Sequence, residues 1–248
     1  VKDKLTENLE EYADPYLYDA EYGGYRGDFD LYLNLIKAGT VLDLACGTGR
    51  LTIPFAEKGL KTAGLDASQA MLTLAQEKSQ NLLIEWVHGD IRHFQLNRKF
   101  DLITLAGNAF QALLTDGDQT RMLFCVKSHL NPDGIFAFNT RNPNPDDMRT
   151  TTDYEFWHDF TDSHGQLVKV YGRQTYFPLT NTVCYTTRRT WPYSETVTDI
   201  ELRFTSLEML EENLDKSGFD VMCRYGDFHK NPYSGTSQNI ILVCRIKR

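Results

Sequence analysis

The 248-residue sequence has no apolar run of membrane-spanning length; the longest, around Ile240–Cys244, is the size of one buried strand. Residues 1–12 are charged and lack the apolar segment of a secretory signal, so a cytoplasmic protein with no membrane partner is expected. Basic residues are in deficit, with 26 Lys and Arg against 34 Asp and Glu and a net charge of −8. That argues against a nucleic-acid partner, which needs clustered cations, and favours a small or cationic substrate over a polyanion. The short basic run Arg188-Arg189 reads as a solvated strand edge. Five cysteines are an odd number with no C-x-x-C pair, which points to reduced thiols rather than a disulfide or zinc framework. There is no internal repeat, no low-complexity tract and no cluster with metal-ligand spacing, so no metal is expected.

What is present centres on residues 41–49, Val-Leu-Asp-Leu-Ala-Cys-Gly-Thr-Gly. The run Val41–Ala45 reads as a buried parallel strand, and Arg50–Lys58 as a helix closed by Gly59. A strand, a glycine loop and a helix in this order bring bare backbone to a ligand at the carboxyl end of a sheet. Asp43 selects the ligand: a carboxylate there repels a dinucleotide pyrophosphate and attracts a cationic, amino-acid-like group. Thr52 stands where the third glycine of G-x-G-x-x-G would be, which argues the same way.

Strand and helix patterns alternate from residue 40 to about 139, as in a parallel sheet wrapped by helices. Thr62–Asp66, Leu82–Val87, Phe100–Leu105 and Ile135–Asn139 read as further strands, and Asn131–Gly134 as a turn. Ser68 caps a helix that carries Met71, Leu72, Leu74 and Ala75, and residues 116–130 form another. From about 150 to 204 four β-like segments follow, near 154–160, 168–177, 182–191 and 197–204, with period-two alternation from Val183 to Trp191. They predict an antiparallel insertion, either a lid or a homodimer contact in a chain that is otherwise a monomer. Thr205–Glu208 is a capping-box pattern, its helix ends at Gly218, and strands Phe219–Tyr225 and Asn239–Ile246 close the chain. The expected division is an N-terminal helical cap (1–39), a core (40–149 and 205–248) and the β insertion (150–204).

The motif VLDLACGTG resembles the first motif of the class I S-adenosylmethionine-dependent methyltransferases, (V/I)LDxGxGxG, with Ala45 in place of its first glycine. The resemblance implies an α/β, Rossmann-like fold with a seven-stranded, mostly parallel sheet and helices on both faces. It implies S-adenosylmethionine as cofactor, with Asp43, Ala45, Gly47 and Gly49 at its amino-acid end. Asp66, ending the second strand, can accept from both ribose hydroxyls, a role it would share with an NAD-binding protein. Ala67 leaves room for adenine, and Met71 offers either a stacking surface or plain core. By the family pattern Asp90 accepts from the adenine amino group, Ile91 packs on the ring, and Leu105 and Ala106 pack on the cofactor. The Asn/Asp-Pro-Pro-Tyr motif of enzymes acting on bases or glutamine is absent after the fourth strand. What remains resembles small-molecule N-methyltransferases of the amino-sugar and glycine/sarcosine types. Their YD-x-x-Y stretch matches Tyr18–Tyr22, which places Tyr22 near the sulfonium; Arg26 is a candidate for the methionine carboxylate. Asn108 either reaches the substrate or caps its loop, and Tyr22, Asn139, Arg141 and His229 are candidate bases.

The expected activity is methyl transfer to a small-molecule acceptor, at nitrogen. Two alternatives stay open on the sequence: an NAD-dependent oxidoreductase, and a non-catalytic cofactor-binding module with the insertion as a partner surface.

Overall fold

The structure is a computed structural model that describes residues 4–248. Helices α1 (Lys4–Asn8), α2 (Pro15–Tyr22) and α3 (Phe29–Tyr32) lead into β1 (Thr40–Leu44), α4 (Thr52–Glu57) and β2 (Lys61–Asp66). Next come α5 (Gln69–Lys78), β3 (Ile84–His88), β4 (Phe100–Leu105), α6 (Asp116–His129) and β5 (Leu130–Arg141). Strands β6 (Glu155–Thr161), β7 (Leu167–Phe177), β8 (Thr182–Thr190) and β9 (Glu195–Arg203) then precede α7 (Leu207–Ser217), β10 (Phe219–Tyr225) and β11 (Asn239–Ile246). Among the described residues no helix is long and apolar enough to cross a membrane.

Seven strands form one sheet in the order β3-β2-β1-β4-β5-β11-β10, parallel except where β11 joins β5 and β10. Its strands are near-continuous apolar runs because both faces are covered. Alternate residues go to opposite sides: Leu42, Leu44, Ile103, Phe136 and Leu242 pack with α6 and α7, while Val41, Leu102, Ala137 and Ile241 pack with Leu31, Tyr32 and Phe55. Parallel pairing aligns the carboxyl ends of β1, β2, β3 and β4, with Asp43 opposite Thr104 and Asp66 opposite His88. The reversal of strand order at β1 and β4 makes this edge the natural ligand crevice. Caps fall where the sequence places them: Ser68 Oγ accepts from Met71 N, Ser206 Oγ from Met209 N, and Gly218 takes φ +83° at the end of α7.

The second sheet, β6-β7-β8-β9, is wholly antiparallel. Its inner face buries Val168, Val170, Val183, Tyr185 and Ile200. Two local expectations are corrected. Asn131–Gly134 is not a free turn but part of β5: the register with β4 jumps from Phe100↔Leu130 to Leu102↔Ile135, a bulge that accommodates Pro132 without breaking the strand. Arg188-Arg189 is not a solvated edge, because β8 is central in its sheet and Arg189 is only 4% exposed.

Candidate active site

Asp43 sits at the end of β1 with almost no exposure. Its Oδ1 accepts from Thr104 Oγ1 of β4 (2.8 Å) and its Oδ2 from Thr52 Oγ1 at the start of α4 (2.6 Å). Burial pushes its carboxyl up to about 6, against those two hydrogen bonds. One carboxylate thus pins two strands and a helix below the glycine turn.

In that turn Ala45, Gly47 and Gly49 all take positive φ, at +50°, +55° and +82°. Gly49 cannot be replaced without movement, since a Cβ would lie 2.7 Å from Trp86 Cη2. Gly64 on β2 leaves the other half of that space, so the Trp86 ring of β3 slots between two glycines. At Gly47 a Cβ would make only an ordinary contact, with Tyr18 Cε1 at 3.9 Å. Gly47 N donates to Asp66 Oδ2 (2.7 Å) and Ser68 N to Asp66 Oδ1 (2.8 Å), which stitches the turn to the start of α5. Burial raises the Asp66 carboxyl, opposed by these N–H groups. Each oxygen keeps a lone pair for a ligand hydroxyl.

Neighbouring strand ends extend the rim. After β3, Asp90 accepts from Arg92 N (2.8 Å) and Nη2 (2.7 Å), and Arg92 Nη1 donates to Asp118 of α6 (3.0 Å). After β4, Asn108 takes φ +61° and its Oδ1 accepts from Asn139 Nδ2 (2.6 Å). Asn139 Oδ1 accepts in turn from the buried Tyr32 hydroxyl (2.9 Å). Arg141, two residues on, donates from Nε to Gln111 and lies over the rings of Tyr185 and Phe204, each 5.1 Å away.

Helix α2 closes the top. Asp14 caps it by accepting from Tyr16 N and Leu17 N, Asp19 takes Lys78 Nζ (2.5 Å) and Thr48 Oγ1, and the Tyr16 hydroxyl donates to Glu77 (2.8 Å). So strapped to α5 and the glycine turn, α2 holds a ladder of rings: Tyr12 to Tyr18 at 5.6 Å, Tyr18 to Tyr22 at 5.3 Å, and Tyr22 to His158 of β6 at 6.5 Å. Burial and the adjacent Glu21 carboxylate raise the Tyr22 phenol, so it stays protonated at neutral pH.

Residues 41–134 match the model of the methyltransferase domain family. A glycine/sarcosine N-methyltransferase of Aphanothece halophytica is 34% identical over 106 residues, 41% of this chain and 40% of that protein. A dTDP-3-amino-3,6-dideoxy-alpha-D-glucopyranose N,N-dimethyltransferase of Streptomyces fradiae is 31% identical over 99 residues, 40% and 38% of the two chains. The matched stretches therefore span less than half the length of these relatives. The fold extends the likeness: the crystal structure of an S-adenosylmethionine-dependent methyltransferase from Clostridium acetobutylicum superposes with a TM-score of 0.77 at 22% identity, covering 97% of this chain and 99% of the other. Residues 41–134 carry a methyltransferase domain, and the chain as a whole has the fold of the S-adenosylmethionine-dependent enzyme. That sets aside the nicotinamide-dependent alternative.

Within the methyltransferase domain, adjacent strand ends bring together Asp43, Ala45, Gly47, Gly49, Asp66 and Ala67, with Asp90 and Ala106 on the flanking loops. Met71, Ile91 and Leu105 are each at most 7% exposed and pack in the interior. Arg26 stands apart: it is exposed, and its Nη1 donates to the carbonyls of Gly23 (2.6 Å) and Tyr25 (2.8 Å) in its own turn. Two cations stand beside the glycine turn: Arg50, paired through both Nη atoms with Asp28 at 2.7 and 2.6 Å, and Lys78, whose Nζ donates to Thr48 Oγ1 (3.3 Å). His229 is exposed in the β10–β11 connection.

Sequence reasoning missed a buried ion cluster between α2 and the insertion. Arg189 donates from Nε to Glu21 (2.7 Å), from Nη2 to Glu11 (2.5 Å) and from Nη1 to Thr198 (3.3 Å), while His158 Nε2 lies 3.0 Å from Glu21 Oε1. The alternation Val183, Tyr185, Thr187, Arg189 was the available signal, since it places Arg189 on the same face as three buried residues.

Proposed function

We propose that the protein transfers a methyl group from S-adenosylmethionine to a small-molecule amine. The observation that carries this reading is the glycine turn at the carboxyl ends of β1 and β2, where Gly47 N bonds the Asp66 carboxylate, Asp43 is buried below and the Tyr18 ring lies above. Carboxylates below and phenol rings above suit a ligand with a cationic sulfur and an ammonium group, so the donor set fits the cofactor. The relatives, an amino-sugar N,N-dimethyltransferase and a glycine/sarcosine N-methyltransferase, support an amine acceptor.

When bound, the sulfonium supplies an electrophilic methyl group. Gly47 and Gly49 let backbone approach the cofactor's amino-acid end, and Asp43 adds the negative field there. Asp66 is the partner for the ribose hydroxyls, and Asp90 with Ile91 marks the adenine end. Leu105 and Ala106 wall the site at the end of β4. Met71, as buried as Leu105, backs the same site, and Arg26 is held by carbonyls of its own turn. An in-line displacement needs alignment and partial desolvation of the amine above all. Tyr18 and Tyr22 provide the apolar, cation-tolerant wall for that step; with its phenol held protonated, Tyr22 orients the amine by its oxygen and does not remove a proton. Asn108 and Asn139, locked to each other, give the rim fixed amide dipoles. The amine releases its ammonium proton to solvent before attack and, once neutral, needs no strong base. In this reading residues 40–149 and 205–248 form the catalytic core, 1–39 the cap and 150–204 the wall of the acceptor site.

The test is transfer of a mass-labelled methyl group from S-adenosylmethionine to a panel of amines, alcohols and thiols. A product with the label on nitrogen is expected. A folded sample that binds S-adenosylhomocysteine yet labels nothing would remove the catalytic reading and leave a binding module.

A further inference from the structure

Two hollows lie between α2 and the insertion sheet. The outer, about 680 Å³ and open to solvent, is lined by Tyr16, Asp162, His164, Gln166 and Ser194 among others. The inner, about 210 Å³, is lined by Glu10, Glu11, Tyr18, Glu21, Tyr22 and Arg189 among others. Asp14, Leu17, Trp191 and Thr196 line both, so the two form one passage. At its inner end stands Tyr18, whose ring lines the hollow and also lies against Gly47, so that ring is what separates the passage from the glycine turn.

The walls of this passage select by charge. Glu10, Glu11, Asp14 and Glu21 line the inner chamber, against Arg189 alone among its cations. Arg189 is paired with Glu11 and Glu21, so one cation stands against four acids and the lining stays net negative, with Glu10 and Asp14 outside that pairing. Tyr18, Tyr22 and Trp191 of the same lining offer aromatic faces that favour a cation. A phosphate entering here would meet like charge at every step, a built-in rejection.

Resting on the methyltransferase reading above, we infer that the acceptor is an amine without phosphate, admitted as a cation through the passage between α2 and the insertion. The chain then differs from its Streptomyces fradiae relative, whose printed acceptor carries dTDP.

Trp191 lines both hollows and reports occupancy by its fluorescence, with Trp191→Phe subtracting the signal of Trp86 and Trp157. The full chain, saturated with S-adenosylhomocysteine, is titrated with D-glucosamine and with UDP-glucosamine, the same amine bearing a nucleoside diphosphate. D-glucosamine should give a saturable change, with UDP-glucosamine at least about tenfold weaker. The double variant Glu10→Gln/Asp14→Asn removes two exposed charges while Asn keeps the cap of α2, and should weaken D-glucosamine binding by about fivefold. UDP-glucosamine binding as tightly, D-glucosamine leaving Trp191 unmoved, or a double variant with full affinity would each overturn the inference. Calorimetry with S-adenosylhomocysteine on the same sample reports separately on the methyl-donor reading.

Discussion

Strand β1 of the core and strand β8 of the insertion are both central in their sheets, yet they handle polar groups in opposite ways. From Val41 to Leu44, β1 is buried throughout, and its one acid lies near the strand end, bound to Thr104 of the next strand and to Thr52 at the start of α4. Along β8 buried and half-buried positions alternate, and the buried face itself carries Thr187 and Arg189. The partners of Arg189 come from Glu11 and Glu21, at the other end of the chain. The core thus satisfies its buried acid from the adjoining strand and helix, and the insertion satisfies its buried arginine only once the N-terminal segment folds onto it.

The largest break in this comparison is expected from Arg189→Met. It strands two buried carboxylates and should cost about 3–5 kcal/mol, read as a fall in the urea midpoint. Adding Glu11→Gln and Glu21→Gln should recover most of the loss, which would assign it to unpaired charge rather than packing. Gly49→Ala comes next, at about 2–3 kcal/mol by the same measurement, because it combines φ +82° with the Trp86 contact.

Asp43→Asn should act in the opposite direction. The folded carboxyl, at about 6, lies above its unfolded value, so the folded state holds the proton more tightly. Stability from this group is therefore lost as pH rises from about 4 to about 6 and stays lost above it, by about 2–3 kcal/mol. The Asn variant, with no charge to bury, should gain about 1–2 kcal/mol at neutral pH, flatten that slope and bind S-adenosylhomocysteine more weakly. Melting curves between pH 4 and 8 check the sign. The smallest effect is Ala45→Gly, which relieves a left-handed alanine and should stabilise by about 0.5–1 kcal/mol.

The legibility of the sequence follows the same divide. Val41–Ala45, Asp66, the Ser68 and Ser206 caps and the two closing strands were readable because each depends on neighbours within a few positions. The four insertion strands were readable from their period of two. The ion cluster was not, since Glu21 and Arg189 are separated by 168 positions and pair only through the tertiary fold. The same holds for Thr104 on Asp43 and for Asn139 on Asn108, side chains from different strand ends whose partners no local pattern announces. Arg26 was favoured by position beside the tyrosines, but its turn offers two nearby carbonyls, and Arg50 takes the place by the glycine loop.

Calorimetric titration of the folded chain with S-adenosylhomocysteine and with NAD in parallel probes the platform itself. One molecule of the sulfur nucleoside bound per chain, with no heat from the dinucleotide, is the predicted outcome. A chain that takes up NAD instead, or neither ligand, would contradict the account.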